Sequence, residues 1–225
     1  MKTIYPTSLP QAIFFDFDGV ILESGDIKTD AFVELFDHLD TETKKTIKQH
    51  HMDNMGVSRF KKFEWIYKNL LDRDITEAEL KSLGDHFSDI VFKKVLACPA
   101  VSGAEQLLEW AKHNTLSFVA SGTPEKELRE IVEKRNLTHY FDDVKGSPAT
   151  KTQIVNEKLA KHKLDKHNCW FVGDANTDYL ASVETDLNFI ARLTPDMNDF
   201  WKNKNVWKVD DMIEVFEKFS VLNGK

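Results

Sequence analysis

Apolar residues fall into three short continuous runs, each stopped by a polar, glycine-marked turn. Ala12 to Phe15 runs into Asp16-Phe17-Asp18-Gly19, Leu116 to Ala120 into Ser121-Gly122-Thr123-Pro124, and Trp170 to Val172 into Gly173-Asp174. Short runs bounded by turn signals predict strands buried on both faces, as in parallel sheets. Between them the spacing turns helical. Ala104 to Lys112 carries Leu107, Leu108 and Ala111 on one face, and Pro124 to Lys134 carries Leu128, Ile131 and Val132 behind a first-turn proline. Thr150 to Leu159 carries Ile154, Val155 and Leu159. Asn188 to Ala191 and Val206 to Val209 read as further short strands, and Met212 to Phe219 as a closing helix. Strands alternating with helices predict an α/β sheet with right-handed crossovers.

The stretch from Ser24 to Cys98 breaks this rhythm. Ala31, Phe32, Leu35, Phe36 and Leu39 form one helical stripe, Phe60, Phe63, Trp65, Ile66 and Leu70 a second, and Phe87, Ile90, Val91 and Val95 a third. No strand pattern interrupts them. The expectation is an all-helical insertion after the first strand, residues 24–98, with Cys98-Pro99 as its return hinge. A core of residues 1–23 and 99–225 remains. Lys44-Lys45 and Lys61-Lys62 are too short for basic tracts and read as solvated faces. There are no internal repeats and no low-complexity segments.

Composition narrows the function classes. The chain has 225 residues with 41% hydrophobic and 30% charged, ordinary for a globular protein, and its 16 Phe and 5 Trp supply a core without staples. A net charge of -7 argues against broad binding to nucleic acid or anionic membrane, which need basic surface. It leaves room for a small anionic substrate, because a metal and a few local cations can reverse the field in a pocket. Cys98 and Cys169 form no CxxC and no recognisable zinc-ligand set, and are expected as buried, reduced thiols. Lys2, Tyr5, Pro6 and Pro10 precede a run too short for a signal segment, and no later run suits a membrane helix. The expected location is the cytoplasm. Trp201 and Trp207 lie among lysines, where aromatic stacking on nucleotides competes with packing of the last strand and helix; packing is the expectation.

Ligands of such sheets bind beyond the carboxyl ends of the strands. Each apolar run delivers its polar residues there, so Asp16, Asp18, Ser121 and Asp174 converge if the runs are parallel neighbours. Carboxylates crowded into one pocket repel unless a cation sits among them, and an oxygen-rich set suits Mg²⁺. A lysine and a hydroxyl beside that metal would make a site for a phosphate dianion.

These residues carry a resemblance. Asp16-Phe17-Asp18-Gly19-Val20 resembles the first motif of the haloacid dehalogenase superfamily of phosphotransferases. Ser121 with Gly122 resembles its second motif, Lys151 its third, and Gly173-Asp174-Ala175-Asn176-Thr177-Asp178 its fourth. Order and spacing agree over nearly the whole chain. The resemblance implies a Rossmann-like parallel sheet with helices on both faces and an inserted all-helical cap.

It also implies roles. Asp16 would be the nucleophile that forms an aspartyl-phosphate. Asp18 would lend its backbone carbonyl to Mg²⁺, leaving its side chain free to protonate the leaving oxygen and then activate water. Asp16, Asp18 and Asp174 would hold the metal, with Asp178 orienting that shell or Lys151. Ser121 and the Gly122 amide would hold the transferring oxygens, and Lys151 would neutralise charge on the phosphoryl group and Asp16. Taken singly, each has a bland reading as a cap, turn or solvated residue.

Departures narrow the activity. Asp18 is present, which argues against carbon–halogen cleavage and against a phosphonate hydrolase using a cap-lysine Schiff base. Gly56-Val57-Ser58-Arg59 resembles a string of β-phosphoglucomutases in which the arginine faces a substrate phosphate, whereas Lys28 stands where those enzymes carry a histidine. The expectation is a Mg²⁺-dependent phosphatase acting on a small phosphorylated metabolite, with Arg59 and Lys28 touching substrate. A phosphomutase is the alternative. A non-catalytic binding protein of the same fold is the other, and the intact motif set argues against it.

Overall fold

The computed structural model describes residues 5–224. Met1 to Ile4, including Lys2 of the N-terminal reading, and Lys225 lie outside the described residues, although the expected core range includes them. Along the chain run β1 (Ala12–Phe15), α1 (Gly25–Leu35), α2 (Thr41–Asp53), α3 (Arg59–Leu70), α4 (Glu77–Ala97), α5 (Ala104–Asn114), β2 (Leu116–Pro124) and α6 (Glu125–Lys134). Then follow β3 (Asp143–Ser147), α7 (Lys151–His162), β4 (Cys169–Gly173), α8 (Asn176–Thr185), β5 (Asn188–Arg192), α9 (Asn198–Trp201), β6 (Trp207–Val209) and α10 (Ile213–Ser220).

The strands form one sheet in the order β3-β2-β1-β4-β5-β6, with every pairing parallel. The order turns back at β1, so the crevice of a Rossmann-like sheet opens beside that strand's carboxyl end. Alternation along β1 explains the layers. Ile13 and Phe15 join one apolar cluster with Leu107 and Leu108 of α5, Leu128 of α6 and Phe219 of α10. Ala12 and Phe14 join another with Ile154 and Val155 of α7 and Ala181 of α8. Successive side chains of a strand point to opposite faces, so β1 must be apolar throughout, and all four of its residues are buried.

One strand has no counterpart in the sequence reading. β3 reads Asp143-Val144-Lys145-Gly146-Ser147, with one apolar side chain, and it forms the sheet edge. Helix α8 is also new. Trp201 and Trp207 are buried, and both cysteines are buried and unbridged.

Residues 25–97 hold α1 to α4 and no strand. Phe32, Phe63 and Phe87 meet at their centre, with ring centroids 4.7 Å apart for Phe32 and Phe87 and 5.5 Å for Phe32 and Phe63. Helix α2 has no real apolar stripe; Ile47 and His51, one turn apart, are its buried residues. The two crossings to the sheet run side by side, with the Glu23 amide donating to Pro99 O and the Val101 amide to Ile21 O, both 3.0 Å. Lys61-Lys62 departs from expectation. Lys61 is exposed, but Lys62 falls on the inward stripe of α3 with Phe63 and Ile66 and is buried.

Candidate active site

Asp16 follows the last residue of β1, and its amide donates to Val172 O of β4 at 2.9 Å. The residue is therefore pinned at the central strand's carboxyl end. Oδ1 accepts from the Phe17 amide at 2.7 Å, and Oδ2 lies 2.9 Å from Lys151 Nζ. Lys151 stands in the first turn of α7, behind a capping box in which Thr150 accepts from the Gln153 amide and Gln153 accepts from the Thr150 amide. Its ammonium also reaches Asp178 Oδ1 at 2.5 Å. Asp178, in the first turn of α8, accepts from the Ala175 amide at 3.0 Å through its other oxygen.

Asp174 completes the group. Oxygens of Asp16, Asp174 and Asp178 lie within 4.8 Å of one another, all on buried residues. Gly19, at φ +74°, lets the preceding loop pass over Asp174; a Cβ there would sit 2.2 Å from Asp174 Oδ2. Burial pushes the Asp16 pKa up to about 7, with Lys151 opposing the shift and Asp178 adding to it. Burial, then Asp16 and Asp178, push Asp174 well above the usual carboxylate range. Burial alone would lower Lys151, but Asp16 and Asp178 outweigh it and hold the lysine protonated.

Three carboxylates against one ammonium leave the cluster short of positive charge. Nothing among the described residues donates a hydrogen bond to the Asp174 carboxylate. An oxygen-only, charge-deficient set of this kind fits Mg²⁺.

The Asp18 side chain turns the other way. It accepts from Ser24 Oγ at 2.6 Å and Thr123 Oγ1 at 2.9 Å and pairs with Lys28, which also donates to Thr123 at 2.7 Å. Burial would raise Asp18, but Lys28 and the two hydroxyls outweigh it and its pKa is lowered. The sequence reading expects a free Asp18 side chain and a Lys28 that touches substrate; in the structure the two are paired with each other at the cavity wall. Ser121 and Gly122 stand where the β2–β3 register shifts, between Ala120 and Pro124. Ser121 Oγ accepts from the Thr123 amide at 3.1 Å.

The helical segment closes over this edge. A cavity of about 70 Å³ is lined by Asp16, Asp18, Ser121, Gly122, Thr123 and Asp174 below and by Lys28, Phe32, His51, Arg59, Lys62 and Phe87 above. Gly56-Val57 crosses between them so closely that a Cβ on Gly122 would lie 2.3 Å from Gly56 O. Thr177 Oγ1 donates to Met55 O at 3.1 Å, tying the same crossing to α8. Lys151 borders an adjoining cleft on the far side of that crossing.

Arg59 bridges rather than projects. It donates to Glu127 of α6 at 2.6 Å and Ser88 of α4 at 2.8 Å, and its guanidinium sits 4.5 Å from the Phe87 ring centroid. The sequence reading missed Thr123, Ser24, Glu127, Thr177, His51 and Lys62. Of these, Lys62 left a signal: a lysine on an inward stripe, one turn from both Arg59 and Ile66.

A family model described as haloacid dehalogenase-like hydrolase matches residues 13–192. Solved structures share the fold at low identity. A predicted phosphoglycolate phosphatase from Haemophilus somnus is 16% identical, with a TM-score of 0.71 over 94% of this chain and 99% of that one. A β-phosphoglucomutase from Clostridium difficile is 16% identical, with a TM-score of 0.70 over 96% of this chain and 100% of that one. The hydrolase YfnB of Bacillus subtilis, bound to magnesium, is 14% identical, with a TM-score of 0.68 over 96% of this chain and 100% of that one. No curated protein sequence gives a significant match.

Proposed function

The chain belongs to the haloacid dehalogenase-like hydrolases, and from that membership we propose that it is a magnesium-dependent phosphatase. It hydrolyses a small phosphate monoester through an aspartyl-phosphate on Asp16. The observation that carries this reading is the Asp16–Lys151–Asp178 chain beside Asp174, at the end of the central strand and under a helical roof.

Asp16 Oδ attacks phosphorus while the ester oxygen leaves, taking a proton from Asp18. A water then attacks the aspartyl-phosphate, gives its proton to Asp18, and releases phosphate with Asp16 restored. Lys151 offsets charge on Asp16 and the transferring oxygens, and Ser121 and the Gly122 amide orient them. Asp16, Asp174 and the Asp18 carbonyl would hold Mg²⁺, with Asp178 supporting; when bound, the ion neutralises repulsion between carboxylates and phosphate. Asp18 is held ionised by Lys28, so it must exchange that lysine for a proton before acting as an acid. This makes Lys28 a positioning residue.

Residues 24–98 form the cap in this reading, on a core of residues 1–23 and 99–225. The paired crossings at Ile21–Glu23 and Pro99–Val101 are the hinge. Closure of the cap excludes bulk water. A cytoplasmic location fits the two unbridged cysteines, and no helix among the described residues is long and apolar enough to cross a membrane.

The test is phosphate release from p-nitrophenyl phosphate and a panel of phosphorylated metabolites, with Mg²⁺ and with chelator. Mg²⁺-dependent release supports the reading. Folded, Mg²⁺-supplied protein that releases no phosphate from any ester overturns it. Isomerisation of a hexose phosphate primed by a bisphosphate, without release, would replace it with the mutase.

A further inference from the structure

Four cationic side chains are buried among the described residues: Arg59, Lys62, Lys151 and Lys158. Three have carboxylate partners. Arg59 pairs with Glu127, Lys151 with Asp16 and Asp178, and Lys158 with Asp143 and Glu157. Lys62, at 3% exposure, pairs with none. Its Nζ lies 3.1 Å from His51 Nδ1 and 3.5 Å from His51 O, and 5.2 Å from the Phe32 ring centroid.

His51 cannot supply the missing charge. Burial, then Lys62, hold its pKa down to about 2, so the imidazole is neutral. With Lys62 donating to Nδ1, the ring proton is assigned to Nε2, which is a further donor. Burial, then Lys28 and Lys151, draw the Lys62 pKa down to about 7. A buried ammonium without a counter-charge is costly, and an arriving anion removes that cost.

Lys62 and His51 line the cavity that also holds Asp16, Asp18, Ser121 and Asp174. The other two cap cations at that wall are occupied, Lys28 by Asp18 and Arg59 by Glu127. Phe32 and Phe87 exclude water beside them, which strengthens any ion pair formed there.

We propose that Lys62 and His51 form a second anion subsite in the cap wall, and that the substrate is a compact phosphate monoester with a carboxylate or second phosphate at its far end. The proposal rests on the phosphatase reading of the Asp16 edge. The small cavity, about 70 Å³, favours a short spacing between the two anions.

The test uses esters matched in skeleton. 3-Phosphoglycerate and glycerol 3-phosphate differ only in carboxylate against hydroxymethyl, and propane-1,3-diol bisphosphate supplies a far phosphate. The wild-type enzyme is expected to favour at least one doubly anionic ester over glycerol 3-phosphate by roughly 10- to 100-fold in kcat/KM. Which of the two is faster tells carboxylate from phosphate. Lys62→Met, which keeps the stem, should erase the preference, and Lys62→Arg should keep part of it; circular dichroism melts check folding. A wild-type enzyme without preference, or Lys62→Met losing all three esters equally, overturns the subsite while p-nitrophenyl phosphate turnover still supports the phosphatase. If no ester turns over, the phosphatase reading fails and calorimetry decides the subsite alone. Phosphonoacetate should then bind at least tenfold tighter than ethylphosphonate, in a Lys62-dependent way, and equal binding overturns the proposal.

Discussion

The floor and the roof of the cavity carry opposite charge and are built differently. At and behind the floor, Asp16, Asp174 and Asp178 outnumber Lys151; backbone amides hold the Asp16 and Asp178 carboxylates, and Lys151 stands at a helix start. On the roof, Lys28, Arg59 and Lys62 come from two helices, α1 and α3, and two of them are committed to carboxylates. In the reading proposed above, a floor short of cations would take a metal, and a roof with a cation to spare would take an anion. If both readings hold, the contrast teaches that chemistry resides where the backbone is over-determined, and selectivity where side chains from several helices meet.

The sharpest way to break the contrast is at the floor. Asp16→Asn keeps the shape and removes the proposed nucleophile. It should lower kcat by about 10⁴-fold or more on every ester, while the melting temperature stays at or above the wild-type value. A folded Asp16→Asn protein with a tenth of wild-type activity would remove Asp16 from its assigned role.

Metal removal comes next. Chelation should abolish activity, and Ca²⁺ should inhibit, because its longer, more numerous contacts loosen the in-line geometry. Mg²⁺ at a hundred times its Kd should stabilise the fold by about 2.7 kcal/mol. That corresponds to roughly 5 to 10 °C in melting temperature. Asp174→Asn should remove most of that shift. Equal melting with Mg²⁺ and with chelator would mean that the carboxylates hold no ion.

The floor was the legible part of this site, for a physical reason. A buried parallel strand must be apolar until it ends, so Ala12 to Phe15 and Trp170 to Val172 announce where Asp16 and Asp174 stand. β3 escaped notice because it is an edge strand in which Val144 alone is a large apolar residue. The roof was legible as helices and not as a site. Periodicity placed Phe32, Phe63 and Phe87 inward, but no spacing rule says that Lys62 follows them in, or that His51 is one of two buried residues on α2. Arg59 and Lys28 were found as residues, but not their ion-pair partners: Glu127 lies 68 positions from Arg59, and no spacing rule pairs Lys28 with Asp18.

Lys151→Met sharpens the floor against the roof at intermediate size. Lys151 touches Asp16 and Asp178, so in the proposed mechanism its loss should lower kcat by roughly 10²- to 10³-fold on generic and preferred esters alike. A loss confined to doubly anionic esters would move Lys151 from chemistry to recognition.

The smallest expected effect is on stability, and it separates a binding lysine from a structural one. In the folded protein the Lys62 pKa is lowered from 10.5 to about 7, chiefly by burial. Below pH 7 both folded and unfolded chains carry the proton, and the folded state bears the whole cost of the buried charge. Between pH 7 and 10.5 the unfolded chain binds more protons, so this group's contribution to stability rises with pH. Above 10.5 neither state is charged and the cost is gone. Lys62→Met removes the cost at every pH, and the loss of the bond to His51 Nδ1 takes back part of the gain. The variant should therefore be more stable than wild type at pH 7 by about 1 to 3 kcal/mol. That is roughly 2 to 12 °C in melting temperature, and the difference should narrow toward pH 10. A variant that melts below wild type at pH 7 would show that Lys62 holds the cap together, and the roof would then have no cation to spare.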